Sequence, residues 1–346
     1  MSLPTITGEA PDQSGVGGAG SVRPRSALPA LSWVHARVHN FLGAVIALLI
    51  LVVVLSASES TFLTAANWRN VLVTNGSLFL VAVGMTFVML SAGFDLSLGA
   101  ILAGSEELLY HLLSAGVPAW LTIVLVPLAG FAVGALVNGF LIGALKLNFF
   151  VVTLGSMTLI YGLVDVISNG ASQTITSNTL NRLGNGTLFG VPMPIVIVAV
   201  VLLLAGFVLR WTSYGRAVFG VGGNREAAHL AGIRVPLVIM SVYGIGGLCA
   251  ALAGMVEAGR LVSATPTAGS SIALIAGAAV LLGGTSLFGG VGGMSGTVVG
   301  VFVIAILGNG VNLLGVSNFW QDVVTGAVLI GAILLDWVQR RGRPQH

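Results

Sequence analysis

AWLTIVLVPLAGFAVGALVNGFLIGA, residues 119–144, contains no charged side chain. Wound as a helix with a rise of ~1.5 Å per residue, it is long enough to cross ~30 Å of hydrocarbon. It is far too long for a buried strand, and it sets the solvent of the whole chain. Apolar segments flank it near 41–57, 70–90, 97–115, 149–168, 191–210, 236–258, 270–283, 295–313 and 319–338, which makes ten in all. The segment 270–283 is short and reads as broken or re-entrant.

Composition agrees with this reading. The chain has 346 residues, 56% of them hydrophobic and 7% charged, with a mean hydropathy of +1.02. A soluble domain carries about 25% charged residues, so this surface is not built to face water. A soluble enzyme is excluded, and so is disorder, which needs low hydrophobicity. Long apolar runs without strand alternation exclude a barrel, because in lipid an open backbone must satisfy its own hydrogen bonds. The expected fold is all-α, a polytopic helical bundle of about ten transmembrane helices. A Gly-, Ser- and Pro-rich stretch, 1–38, reads as a flexible cytoplasmic tail before the transmembrane domain 39–338, and 339–346 as a basic cytoplasmic tail. Ser56-Ala57-Ser58 looks like a signal-peptide cleavage site, but the run before it is longer than an h-region and starts late, which favours an uncleaved first span.

Orientation follows from the cations. With the N-terminus inside, Arg23, Arg25, Arg37, Lys146, Arg210, Arg216, Arg225, Arg234, Arg340, Arg341 and Arg343 fall on the cytoplasmic side. Arg69, Arg182 and Arg260 fall outside. Eleven against three obeys the positive-inside rule, and both termini are then cytoplasmic. The isoelectric point near 9.5 is explained by this loop charge rather than by nucleic-acid binding.

Two single residues exclude more. Cys249 is the one cysteine, so no internal disulfide is available. Lys146 is the one lysine and Leu147 follows it, whereas a phosphate-binding Walker A loop needs Gly-Lys followed by Ser or Thr. Any ATP that drives this chain is hydrolysed on another polypeptide. No catalytic triad, metal-ligand spacing or paired-carboxylate site stands out, so the chain is not read as an enzyme. Glycine is abundant, 49 residues, and Gly130/Gly134, Gly139/Gly143, Gly289/Gly293 and Gly296/Gly300 have the small-xxx-small spacing of close helix packing within one subunit.

Two connections are long. Residues 169–190 form a polar outer loop, and 211–235 form the largest inner loop. In the inner loop Asn224 can cap a helix and Glu226 lies in its first turn, where a carboxylate is favoured. Ala227, Ala228, His229 and Leu230 continue it, and Gly232 is a natural residue just past its end, with Ile233 as the apolar contact that follows. Such a helix has roughly seven residues, below the ~12 at which an isolated helix is marginal, so something must hold it. It either lies on its own protein's inner face or docks in a groove of a cytoplasmic partner, where Arg225 and Arg234 supply charge.

Here the chain resembles a known family. Glu226-Ala227-Ala228 followed by Gly232 is similar to the EAA coupling loop of ABC importer permeases, and the flanks resemble the ribose/monosaccharide (RbsC-type) branch. The matching stretches are VGMTFVMLSAGFDLSLGA (83–100), FFVVTLGSMTLIYGL (149–163), YGRAVFGVGGNREAAHLAGI (214–233), SATPTAG (263–269), LLGGTSLFGGVGGMSGTVVG (281–300) and GNGVNLLGVS (308–317). The resemblance implies a multi-pass cell (inner) membrane permease that carries a ribose-like sugar or polyol. It implies a second permease copy, identical or not, a cytoplasmic ABC ATPase that holds the ATP and Mg, and a periplasmic or lipid-anchored sugar-binding protein. No cofactor is expected on this chain. After SATPTAG the family usually carries a Glu and an Asp, where this chain reads Ser270-Ser271-Ile272-Ala273-Leu274-Ile275-Ala276-Gly277. Glu106 and Glu107 lie where the family is small and apolar.

Candidate residues follow. Asn224, Arg225, Glu226, Ala227, Ala228 and Gly232 are the expected ATPase-coupling set. Gly93, Asp95, Gly283 and Gly284 are read as structural turns; Asp95 either caps the following helix or carries a proton in an ion-coupled carrier. Thr153, Thr158, Tyr161, Asn309, Asn312 and Glu107 are candidates for the substrate pathway, since hydroxyls, amides and carboxylates suit polyols, although the same residues also bind helices together. Glu106, Glu107 and Asp165 either face a cavity or sit near the outer boundary, and His111 can pair with Glu107 one turn away. The Gly-rich stretch 283–296 has no nearby cation and reads as a tight turn. Rival functions are a branched-chain amino acid ABC permease, an ion-coupled carrier using Asp95 or Glu107, and a passive channel.

Overall fold

The computed structural model describes residues 29–317 without a break, side chains from Leu42 onward, and scattered positions from 320 to 331. α1 (Pro29–Ser58) is followed by α2 (Ala65–Thr74), α3 (Gly76–Leu90), α4 (Leu98–Ser114) and α5 (Ala119–Ala132). α5 continues through a π-helical turn, Val133–Gly139, into α6 (Phe140–Gly143). Then come α7 (Phe149–Ser168), α8 (Asn178–Asn185), α9 (Met193–Trp211), α10 (Ser213–Gly223), α11 (Arg225–Leu230), α12 (Val235–Leu261), α13 (Ile272–Leu282) and α14 (Met294–Leu313). Short strands interrupt this order: β1 (Gln173–Thr174) pairs antiparallel with β4 (Ser263–Ala264), and β2 (Thr187–Leu188) with β3 (Val191–Pro192).

Among the described residues five stretches are long and apolar enough to cross a membrane: Ala119–Gly143, α7, α9, α12 and α14. A sixth is the pair α2–α3, bent by 49° at Asn75. The part of α1 from Leu42 to Ser58 and α13 are shorter apolar helices. Among the described residues, the nine apolar segments from 41–57 to 295–313 hold helices, with four differences. The 70–90 run starts earlier and is broken at Asn75. α1 begins at Pro29, inside the stretch expected to be a flexible tail. The polar loop 169–190 holds α8, started by the Ser177 hydroxyl accepting from Leu180 N, and the strand pairs. The inner loop 211–235 is mostly the helices α10 and α11. Residues 1–28 of the expected tail 1–38, and the expected tail 339–346, lie outside the described residues, as does most of the span 319–338.

α3 is buried at every position, as an apolar helix without a polar face should be at the centre of a bundle. α12 lies beside it and packs against α4, α5, the π turn, α6 and α8. Glycine sets how close these helices come. Gly130, Gly134, Gly139 and Gly143 meet Gly247, Tyr243, Met240 and Pro236 of α12 in turn, so the two helices run antiparallel in contact. The step from Gly134 to Gly139 is five residues. In an α-helix five residues turn ~500°, about 140° away from the starting face. The π turn Val133–Gly139 absorbs the extra residue and keeps all four glycines on one stripe. The other spacing pairs divide. Gly296 and Gly300 bring α14 against Gly283 and Ala279 of α13. Gly289 and Gly293 precede α14, so they form no helical stripe. This is a correction to the expected small-residue pair.

The chain from Thr265 to Ser271 is not helical, and Gly269 lies against Gly99, near the start of α4. The short eighth segment is thus a half-helix preceded by a non-helical stretch in which Pro266 and Ala268 are buried and Thr267, Ser270 and Ser271 are exposed.

Candidate functional site

The inner loop is an ordered element. The Asn224 side chain accepts from Ala227 N at 2.9 Å and starts α11. Gly232, at φ +82°, ends it, with Ile233 N donating to Ala228 O at 3.0 Å and Gly232 N to His229 O at 2.9 Å. The helix has six residues rather than seven. Ala228 faces the protein, while Arg225, Glu226, Ala227, His229 and Leu230 are exposed, Leu230 by 82%. Six residues do not make a stable helix alone, so caps and Ala228 burial hold it. Asn224→Ala is expected to weaken this local helix by ~1 kcal/mol, read as faster amide exchange confined to residues 225–231.

α10 ties this element to the bundle. Its Tyr214 hydroxyl shares a 2.7 Å bond with Ser241 Oγ of α12, and burial pushes the phenol's pKa up. At the other end Gly222 lies against the Leu90 carbonyl, and a Cβ there would be 2.7 Å from Gly290 N. Gly290 N itself donates to Leu90 O at 3.0 Å. Gly289, at φ +82°, closes the junction against Ala92. The end of α3, the end of α10 and the Gly-rich turn therefore meet at one point.

The turn after α3 carries the expected structural residues. Gly93 leaves room for Tyr243, whose hydroxyl would be 2.6 Å from a Cβ there. Asp95 is fully buried, and its Oδ1 accepts from Ser97 N at 2.9 Å and Ser97 Oγ at 2.6 Å. That is an Asx turn leading into α4. Gly283 ends α13, and Gly284, at φ +83°, begins the Gly-rich turn.

The six pathway candidates do not converge on one site. Asn309 exchanges two bonds of 3.0 and 2.9 Å with the Asn67 amide of α2, so it joins helices. Asn312 is exposed. Thr158 is exposed and donates back to Leu154 O at 3.0 Å. Tyr161 donates to Ala268 O at 3.1 Å and holds the irregular segment before α13. Thr153 is fully buried, and its hydroxyl has no hydrogen-bond partner among the described residues. Glu107 is buried and bonds His111 Nε2 at 3.0 Å. Asp165 is exposed.

Four polar contacts escaped the sequence reading. Asn138, fully buried in the π turn, donates to Ser97 Oγ at 2.7 Å and to Asp95 Oδ2 at 3.5 Å. Ser156 of α7 donates to Asn138 Oδ1 at 2.6 Å. Glu106, also fully buried, accepts from Thr265 N at 2.9 Å and so fixes the same irregular segment. Asn138 had a signal: it is the one amide in the run 119–144. Its partners, 41 and 18 residues away, had none.

The model of one known family, described as branched-chain amino acid transport system / permease component, matches residues 67–333. The ribose import permease protein of Bacillus subtilis is 42% identical over 297 residues, covering 85% of this chain and 92% of that one. The D-allose transport system permease protein of Escherichia coli is 36% identical, covering 81% and 86%. The L-arabinose transport system permease protein of Escherichia coli is 32% identical, covering 95% and 99%. No solved structure gives a significant match.

Proposed function

Because this chain belongs to the branched-chain amino acid transport system permease family, a family of multi-pass inner-membrane proteins, we propose that it is the membrane subunit of an ABC importer for a monosaccharide or related polyol. The chain carries no cofactor of its own. A separate cytoplasmic ATPase holds ATP and Mg, a substrate-binding protein delivers the sugar, and a second permease copy completes the pore. The observation that carries the coupling role is α11, a six-residue helix set by its own caps, with its outer side chains left exposed. Arg225, Glu226, Ala227 and Leu230 offer that surface to the ATPase. The sugar is preferred over a branched-chain amino acid because the full-length relatives above are named for ribose, allose and arabinose.

The apolar runs and the cation count support ten spans with both termini in the cytoplasm. Gly220 of α10 lies against Ile233, just before the start of α12, and β1, β4 and α8 gather at the other end of α12 near Arg260. The first group of connections is the one assigned inside, and the second the one assigned outside.

The test is reconstitution in liposomes with the ATPase and binding protein. ATP-dependent accumulation of radiolabelled ribose, allose or arabinose, uncompeted by leucine, is expected; accumulation of leucine alone makes the chain an amino acid permease. Accumulation by the permease alone under a proton gradient overturns the reading. Glu226→Ala with Gly232→Pro is expected to cut ATP-driven uptake at least tenfold and to lose the ATPase on purification. Proline cannot adopt the φ of +82° found at Gly232. Unchanged uptake and co-purification would remove α11 from the coupling role.

A further inference from the structure

We propose that Asn138 is a positioning residue of the transport cycle, passing displacement of the Leu90–Ser97 turn to α7 through its side-chain amide. This rests on the reading of the chain as an ATP-driven import permease. The first link is steric. Gly222 sits four residues before Glu226 and lies against the Leu90 carbonyl and Gly290, with no space for a side chain. Any motion imposed on α11 and α10 therefore presses on the turn that follows α3. That turn is stiff: Ala92 holds a left-handed φ of +61°, and Asp95 closes its far end on Ser97.

The second link is the amide. Asn138 donates to Asp95 and Ser97 on one side and accepts from Ser156 on the other. Its polar ends are satisfied by two different elements, the turn leading into α4 and helix α7. An apolar residue of the same size would sever both while filling the same volume. The third observation is its place. Asn138 lies in the π turn, the one departure from α-helical winding between Ala119 and Gly143. Such turns occur mainly where function overrides regular helix geometry. On either side of it, Gly134 and Gly139 clamp the backbone to Tyr243 and Met240 of α12. The backbone is thus held against α12 on both sides of Asn138, and its side-chain amide bridges the turn and α7.

The experiment measures sugar moved per ATP hydrolysed, using radiolabelled ribose, allose and arabinose in liposomes holding permease, ATPase and binding protein. Asn138→Leu is expected to lower that ratio at least tenfold, Ser156→Ala about threefold, and Asn138→Leu/Ser156→Ala no further than Asn138→Leu alone. Non-additivity of this kind reports one shared link rather than general loosening. Thr122→Val is the control. Thr122 is equally buried on the same helix, but its hydroxyl donates only to Pro118 O of its own first turn. The proposal fails if Asn138→Leu keeps the wild-type ratio, or if transport and hydrolysis fall in step so that the ratio is unchanged. It also fails if Thr122→Val lowers the ratio as much, or if the two changes simply add. Should Asn138→Leu not assemble, Ser156→Ala decides alone: an unchanged ratio overturns the proposal. Absence of ATP-driven uptake by the wild-type complex would instead refute the importer reading.

Discussion

Gly222→Val is expected to destabilise the permease by ~3 kcal/mol and to abolish ATP-driven uptake, whereas Gly223→Val, one residue on, leaves both near wild type. The difference lies in what each side chain would meet. A Cβ on Gly222 collides with the Leu90 carbonyl and comes within 2.7 Å of Gly290 N; one on Gly223 meets nothing within 4 Å. The obstacles at Gly222 are backbone atoms of two separate segments, which no rotamer change relieves. Making room means parting Leu90 from Gly290 and breaking their 3.0 Å hydrogen bond, which leaves the buried Leu90 carbonyl and the half-buried Gly290 amide without partners. Both substitutions replace glycine in a helix by the same β-branched residue, so intrinsic propensity cancels in the comparison. Thermal unfolding in detergent and uptake in liposomes supply the two readouts. Equal stability of the two variants would show that α10 does not press on the end of α3.

Glu106→Ala is expected to cost ~3 kcal/mol, while Glu106→Gln is neutral or stabilising. Glu106 is fully enclosed, with its Cγ 3.4 Å from the position of a Cβ on Gly254. One carboxylate oxygen accepts from Thr265 N, and the other has no partner among the described residues. Alanine removes that acceptor and leaves a void. Glutamine keeps an oxygen for Thr265 and takes a carboxylate out of the bundle interior, where charge is costly. The order of unfolding midpoints, Gln at or above wild type and Ala well below, checks this. If Gln falls as far as Ala, the charge itself is what holds the segment.

The helix α11 with its caps was the most legible part of the candidate site. Asn224, Glu226 and Gly232 act within four residues of their partners, through a cap, a helix dipole and a left-handed turn, and such terms are local. The pathway candidates were not legible in the same way. Asn309 and Tyr161 have side chains suited to a polyol, but the choice between a sugar and a neighbouring helix is made by whatever packs opposite. For Asn309 that is Asn67, and for Tyr161 it is the backbone of Ala268. Asp95 fell between the two cases: its Asx turn to Ser97 is local, and its bond to Asn138 is not.

The amino-acid order alone determined that the chain lives in lipid and that its apolar runs are helical. Both follow from composition and from the length of uncharged runs, and neither needs a partner segment to be known. The tertiary structure decided which faces meet. It placed the five-residue step from Gly134 to Gly139 in a π turn, so one glycine stripe runs along α12 and Asn138 reaches Asp95 and Ser156. It also set Glu106 beneath the irregular segment that starts the half-helix α13. These contacts depend on the relative rotation and depth of whole helices. Hydropathy is the same on every side of α3 and nearly so around α12, so it leaves that rotation free, and close packing of backbone on backbone fixes it.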